Sequence, residues 1–217
     1  MVKVLWLGRI GYGEAGALQR RAAEEVKAGG PEALFLLEHE PVFTIGRNAN
    51  RADVLFTPEH CREVGVEVVE SDRGGKVTYH GPGQLVGYPV LNLHPDRRDV
   101  KRFVTDLEEV LIRALAGFGI FARRSTLKER VSSLWVGNDK IAAIGIHLSR
   151  WITTHGFALN VTEEPLPFFA GIVPCGITDG GVTTMERLIG QAPPLRAVAD
   201  AILPHFGDVF GREIIAA

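Results

Sequence analysis

The chain has 217 residues, 46% hydrophobic and 23% charged, with a formal net charge of −2. That supplies enough apolar side chain for a packed core and excludes a disordered chain. The near-neutral balance gives no overall basic field for nucleic acid, and two cysteines, Cys61 and Cys175, do not make a disulfide framework, so a reducing compartment is expected.

The first eight residues, Met1 to Gly8, form too short an apolar run for a secretory signal and lack a small-residue cleavage site. The longest uncharged stretch, Val77 to Pro95, holds prolines, glycines and two histidines, which would leave backbone groups unsatisfied in lipid. A cytoplasmic protein that does not span a membrane is expected.

In chain order, residues 2–8 predict a strand and residues 14–28 an amphipathic helix stopped by Gly29-Gly30-Pro31. Residues 33–39 are a short apolar run and read as a buried strand. Strands follow at 43–46 and 66–70, separated by a short helix at 58–64 with Pro58 in its first turn. A Gly-rich stretch covers 73–83, then a strand at 84–92 and a long helix at 98–117. Residues 131–136 and 140–148 predict a strand pair joined by the turn-forming Gly137-Asn138-Asp139, with a further strand at 151–161. Residues 164–181, rich in Gly and Pro, predict an ordered loop. Thr183 and Glu186 have the spacing of a capping box for a helix at 184–189, and a last helix covers about 194–207. Helices at the start, middle and end, with runs of strands between, favour α+β over a doubly wound parallel fold. With no repeat, low-complexity tract or linker, residues 1–217 are expected to form a single domain.

Gly11-Tyr12-Gly13-Glu14-Ala15-Gly16 matches the spacing of a dinucleotide-binding turn, with Glu38 where a ribose-binding acid would stand. The match is short, glycine is common in this chain, and no series of strand–helix–strand units follows, so a flexible turn before a helix is the better reading. Arg73-Gly74-Gly75-Lys76-Val77-Thr78-Tyr79-His80-Gly81-Pro82-Gly83 is denser in information. Its glycines let backbone approach a ligand, and Arg73, Lys76 and His80 add polar groups. It is not a Walker loop, because Val77 follows Lys76.

Cys175 stands between Pro174 and Gly176, which keep it out of helix and strand interiors. A thiol on such a turn suits nucleophilic attack, because nearby backbone N–H groups can hold an oxyanion; the bland alternative is a small buried hydrophobe. Cys61, in a helical run without Gly or Pro, fits that alternative. Lys140 heads the apolar run Ile141 to Ile146 and either reaches into water or faces a site partly desolvated. His80, His147 and His155 have no partners at zinc-ligand spacing, so no metal is expected. The residues alone leave a Cys–His hydrolase open.

The segment Arg73 to Pro89 resembles the signature of the lipoyl(octanoyl) transferases of lipoate biosynthesis. Lys140-Ile141-Ala142-Ala143-Ile144-Gly145, His155-Gly156-Phe157-Ala158-Leu159-Asn160 and Pro174-Cys175-Gly176 resemble that family's further motifs, and the similarity runs from about residue 4 to 190. The resemblance implies a mixed, largely antiparallel sheet flanked by helices with a smaller second sheet, a fold shared with biotin and lipoate protein ligases. It implies that Cys175 is the acyl-thioester nucleophile and that Lys140 tunes it and acts as acid and base. By the same likeness, Arg73, Gly74, Gly75, Lys76, Val77, Thr78, Tyr79 and His80 would line the acyl site, together with Ala143, Ile144, Gly145, Gly156, Phe157 and Ala158. The implied donor is octanoyl-acyl carrier protein. The implied acceptors are lysines of lipoyl domains and the glycine cleavage H protein, with no cofactor, nucleic acid or membrane. The arginines at 97, 98, 102, 123 and 124, with Lys101, are candidate docking groups for acidic carriers. The competing readings are an ATP-dependent ligase on the same fold, a non-catalytic acyl-binding module, and a dinucleotide enzyme.

Overall fold

The structure, a computed structural model, describes residues 1–125, 132–173 and 181–216. Strand β1 (Val2–Ile10), helix α1 (Tyr12–Lys27) and strand β2 (Glu32–His39) open the chain. They form one crossover unit, because β1 and β2 pair in parallel and cannot be joined by a tight turn. Next come β3 (Val42–Ile45), α2 (Pro58–Glu63), β4 (Glu67–Glu70), β5 (Val77–His80) and β6 (Gln84–Val90). They are followed by α3 (Val100–Ala116), β7 (Arg123–Arg124), β8 (Ser133–Val136), β9 (Asp139–Ser149) and β10 (Ile152–Asn160). Helices α4 (Met185–Ile189) and α5 (Leu195–Phe210) and strand β11 (Ile214–Ala216) complete the described order.

The larger sheet has the order β11-β1-β2-β6-β10-β9-β8-β7, and the smaller one β4-β3-β5. In the larger sheet only β1 pairs in parallel, with β2 and with β11; the other neighbours are antiparallel. The expected mixed, largely antiparallel sheet with a smaller partner is therefore present.

Both faces of the large sheet are covered, which explains why its central strands read as continuous apolar runs. In β2, Leu34 and Leu36 face the cluster that includes Phe103, Leu107, Leu111, Ile202 and Phe206 of α3 and α5. Ala33, Phe35 and Leu37 face the opposite cluster, with Ala15, Ala22 and Val26 of α1. The alternation is the two-residue period of a strand. Each such fully buried Leu or Phe contributes about 1.5–3 kcal/mol, so the sheet is anchored from both sides. The small sheet has its own core of Phe43, Val77 and Tyr79, closed by Cys61 of α2 and by Phe168 and Phe169 of the 3-10 turn Leu166–Gly171.

Several expected boundaries shift. The Gly-rich stretch contains a strand, β5, because Val77 and Tyr79 point into the small-sheet core while the glycines occupy the flanking turns. The two-residue β7 and the C-terminal β11 lack any periodic pattern to announce them, and are held as edge strands by pairing. The helix cap after the loop is Thr184, not Thr183: its hydroxyl accepts the Arg187 N–H, while the Thr183 N–H donates to the Lys140 carbonyl. The last helix runs to Phe210, where Gly211 at φ +61 ends it. The predicted strand start at 131 and residues 174–180 of the predicted loop lie outside the described residues. No helix among the described residues is long and apolar enough to cross a membrane.

Candidate active site

The small sheet is laid against the large one by its Gly-rich segment. The Gly74 N–H donates to the Ile146 carbonyl on β9 at 2.9 Å. A Cβ at Gly145 would stand 2.9 Å from the Gly74 carbonyl oxygen, so glycine there lets the two backbones touch. Arg73 fixes the other side: its Nε and Nη2 donate to the Thr44 hydroxyl at 3.0 and 2.7 Å, and Nη2 also donates to the Thr44 carbonyl at 2.7 Å.

Between the sheets lies a cleft of about 580 Å³, solvent at its mouth included, within the range of small-molecule sites. Its walls carry Arg73, Gly74, Gly75, Lys76, Val77, Thr78 and His80 from one sheet, and Lys140, Ala143, Ile144, Gly145, Gly156, Phe157 and Ala158 from the other. The stretches predicted from separate motifs thus converge on one place. Tyr79 differs: its side chain packs in the small-sheet core, stacked on Phe168 at 4.6 Å between ring centroids, and is not among the lining residues. Tyr88, Ser132 and His155 line the cleft as well. Of these, His155 opens a motif and Tyr88 lies within the Arg73 to Pro89 segment, though neither was named as a lining residue; Ser132 had no sequence signal. Phe157 supplies a buried apolar wall and lies directly across from Gly87 on β6. A Cβ there would come within 2.2 Å of the ring, so only glycine admits it.

Lys140 sits near the start of β9, half-buried. Its backbone is paired on both sides of one strand segment: its N–H donates to the Gly181 carbonyl at 3.0 Å, and its carbonyl accepts the Thr183 N–H at 2.9 Å. A chain of side-chain bonds links this pairing to the opposite wall. His80 Nδ1 donates to Gln84 Oε1 at 2.7 Å, Gln84 Nε2 donates to Asn160 Oδ1 at 2.9 Å, and Asn160 Nδ2 donates to the Thr183 carbonyl at 3.2 Å. All three side chains are buried, so each bond also satisfies a group that would be costly to leave alone. Cys175, with Pro174 and Gly176, lies outside the described residues. Cys61 is a free, buried thiol in the small-sheet core, as expected of a small hydrophobe.

Histidines gather at the cleft wall, His80 and His155, and next to it, His39, whose ring lies 5.7 Å from that of His80. Burial pulls His39 down to about 4, against a smaller opposing effect of its bond to the Ile10 carbonyl. His80 is held well below the usual imidazole range by burial, then by the nearby His39 and Arg73. His155 is also lowered, mainly by burial, with Asp72 opposing. Burial alone would raise the Asp72 carboxyl, but its bond to His155 and the fields of His155 and His147 outweigh it and hold it low.

Two other sequence features resolve. Gly13 and Gly16 lie inside α1, and Glu38 accepts the Gly83 N–H at 2.8 Å. Glu38 is thereby engaged inside the fold, holding the turn before β6. Of the candidate docking arginines, Arg97 pairs with Asp106 and donates to the Val209 carbonyl, Arg98 covers Trp151, and Arg124 pairs with Glu108 and Glu109. Much of that charge is spent inside the protein.

The lipoyl protein ligase A/B catalytic domain matches residues 11–207. An octanoyltransferase of Caldicellulosiruptor bescii is 47% identical over 215 residues, covering 98% of this chain and 93% of that protein. A bipartite lipoate protein ligase from Thermoplasma acidophilum, described with its E2 lipoyl domain, superposes with a TM-score of 0.77 at 18% identity, covering 100% of this chain and 85% of that one. The biotin protein ligase of Aquifex aeolicus, solved with biotin and ATP, gives 0.58 at 16% identity, covering 96% and 70%. The two structural likenesses show the shared fold, and the full-length sequence match with the converging motifs shows more: the chain belongs to the octanoyltransferase family, acyltransferases of lipoate biosynthesis.

Proposed function

We propose that residues 1–217 act as one catalytic unit that takes an octanoyl group from octanoyl-acyl carrier protein onto Cys175 and passes it to a lysine of a lipoyl domain or of the glycine cleavage H protein. The observation that carries this reading is the convergence of Lys140 and the Gly-rich segment on one cleft with an apolar Phe157 wall. Gly181, which follows Cys175 closely in the chain, accepts the Lys140 N–H. The archaeal ligase is described together with its own E2 lipoyl domain, which supports the same acceptor class here.

A free thiol is only a few per cent ionised at neutral pH. A Lys140 ammonium beside it would favour the thiolate; each two units of pKa correspond to about 2.7 kcal/mol. The thiolate attacks the donor carbonyl, a carbon–sulfur bond forms to Cys175, and the carrier sulfur leaves with the Lys140 proton. The acceptor amine then attacks the acyl-cysteine, the amide C–N bond forms, the C–S bond breaks with its electron pair left on the Cys175 sulfur, and the neutral Lys140 takes the amine's proton as general base. Burying six or seven methylenes of the octanoyl tail contributes roughly 5 kcal/mol at about 0.8 each. Because each carbon adds so little, a closed apolar end is what limits chain length.

Intact-mass analysis after mixing with octanoyl-acyl carrier protein, without ATP, tests this. An octanoyl adduct should appear on Cys175 and vanish in Cys175→Ser. An adduct that persists in that variant, or no adduct in the parent protein, would sink the covalent route.

A further inference from the structure

Lys140 lies where the regular pairing of β9 gives out. The ladder with β10 ends at the pair Leu159–Ala142, before Lys140 is reached. On the other side, the ladder with β8 shifts register between the partners of Ala142 and Lys140. The place that β10 leaves is taken by the segment Gly181 to Thr183, which forms a parallel bridge to Lys140 through Val182. How firmly that segment is held therefore decides how firmly the Lys140 backbone is held.

We infer that Asn160 is a positioning residue for Lys140, acting through Thr183, with Gln84 behind it. Asn160 is the last residue of β10, one past the final pair with β9. Its Nδ2 donates to the Thr183 carbonyl at 3.2 Å, and the Thr183 N–H donates to the Lys140 carbonyl at 2.9 Å. One residue thus carries the link from Asn160 to Lys140. A carbonyl only accepts, so Asn160 presents its amide nitrogen to Thr183 and its Oδ1 to Gln84 Nε2 at 2.9 Å. Gln84 Nε2 also donates to the Tyr79 carbonyl at 3.3 Å, which leaves Oε1 to accept from His80 Nδ1. Every donor and acceptor along the chain is set from one backbone carbonyl. The assignment rests on the reading of Lys140 as acid and base.

Two further contacts hold the same stretch of chain. The Gly181 N–H donates to Asp139 Oδ1 at 2.8 Å, and the Glu186 N–H donates to the Val161 carbonyl at 2.9 Å. The first is exposed, where water competes for both partners. The second acts three residues past Thr183, inside the first turn of α4. The Asn160 bond is buried and acts on Thr183 itself. Buried, fully paired amides specify one geometry, because each alternative leaves a polar group without a partner.

Asn160 is not among the residues that line the cleft, whereas Lys140 is. It reaches the chemistry through the backbone that carries Lys140. A displacement of about 1 Å in a reacting group costs about a hundredfold in rate, while the walls that take up the acyl chain keep their places. Loss of Asn160 therefore falls on kcat and spares KM.

A double-mutant cycle of Asn160→Ala with Lys140→Ala tests this, with octanoyl transfer from octanoyl-acyl carrier protein to a lipoyl domain followed by mass. In the parent background kcat should fall about tenfold to a hundredfold, with KM for the donor within about threefold. In the Lys140→Ala background the same substitution should change the residual rate less than about twofold, because no base is left to position. The drop in Tm should be alike in the two backgrounds, which separates folding from positioning. Asn160→Leu fills the space without a donor, and it takes the place of Asn160→Ala in the cycle should that variant not fold. A parent kcat in the folded Asn160 variant, or an equal fractional loss in both backgrounds, overturns the positioning role and leaves Lys140 as the base. Parent-like transfer by Lys140→Ala alone overturns the reading of Lys140 and the positioning role with it.

Discussion

Gly145 and Gly74 approach so closely that a methyl group on Gly145 would lie 2.9 Å from the Gly74 carbonyl oxygen. That contact joins the two sheets at the cleft. In Gly145→Ala the obstacle is backbone, which cannot rotate away, so the segment carrying Arg73 to Thr78 must move outward. Overpacking of this kind costs about 1–3 kcal/mol. The expected result is a lower Tm and a KM for the octanoyl donor raised at least about tenfold; parent-like steady-state kinetics would show that the contact does not shape the site.

Lys140→Arg separates two jobs assigned to one side chain. A guanidinium keeps the positive charge that favours a thiolate but cannot be deprotonated in a protein. Acyl-enzyme formation should survive within about tenfold, while single-turnover transfer should fall by roughly 10²-fold or more. Rapid-quench mass measurements of the two half-reactions read both numbers, and equal losses in the two would argue that charge is not what Lys140 supplies.

The buried histidines make stability depend on pH. His39 is neutral in the fold, with Nδ1 donating to the Ile10 carbonyl and Nε2 accepting the Tyr88 hydroxyl at 2.7 Å. Its folded value of about 4 lies below the unfolded 6.5. Between those values the unfolded chain binds the extra proton. Stability is therefore complete above about pH 6.5 and is lost as pH falls toward 4, at up to about 1.4 kcal/mol per pH unit for one group. His80 and His155, both lowered, act with the same sign. Urea unfolding at pH 7.5, 6 and 5 should show the decline, and His39→Gln should flatten it; an unchanged slope in that variant would remove His39 as a source.

The turn between β9 and β10 is strained where glycine or asparagine is usual. Arg150 and Trp151 have φ +50 and +66, the two left-handed residues that a two-residue hairpin of this type requires. Trp151 is engaged by Arg98, whereas Arg150 is exposed. Arg150→Asn should therefore stabilise the protein by about 0.5–1 kcal/mol, seen as a Tm rise of roughly 1–4 °C. A fall in Tm would mean that Arg150 makes a compensating contact.

The sequence by itself determined the elements with strong local signals and the residues of the cleft. Gly29-Gly30 stopped α1, the apolar run 33–39 became β2, and three separated motifs named nearly every lining position. Those features are local: a period, a cap or a run of special residues is written in consecutive positions. The tertiary structure alone decided which walls face each other and which polar groups are joined. The Gln84–Asn160 link, Asp72 beneath His155 and Tyr79 turned into the small-sheet core all depend on partners dozens of residues away. No local pattern encodes such pairings, because burial and long-range strand register, not propensity, choose them.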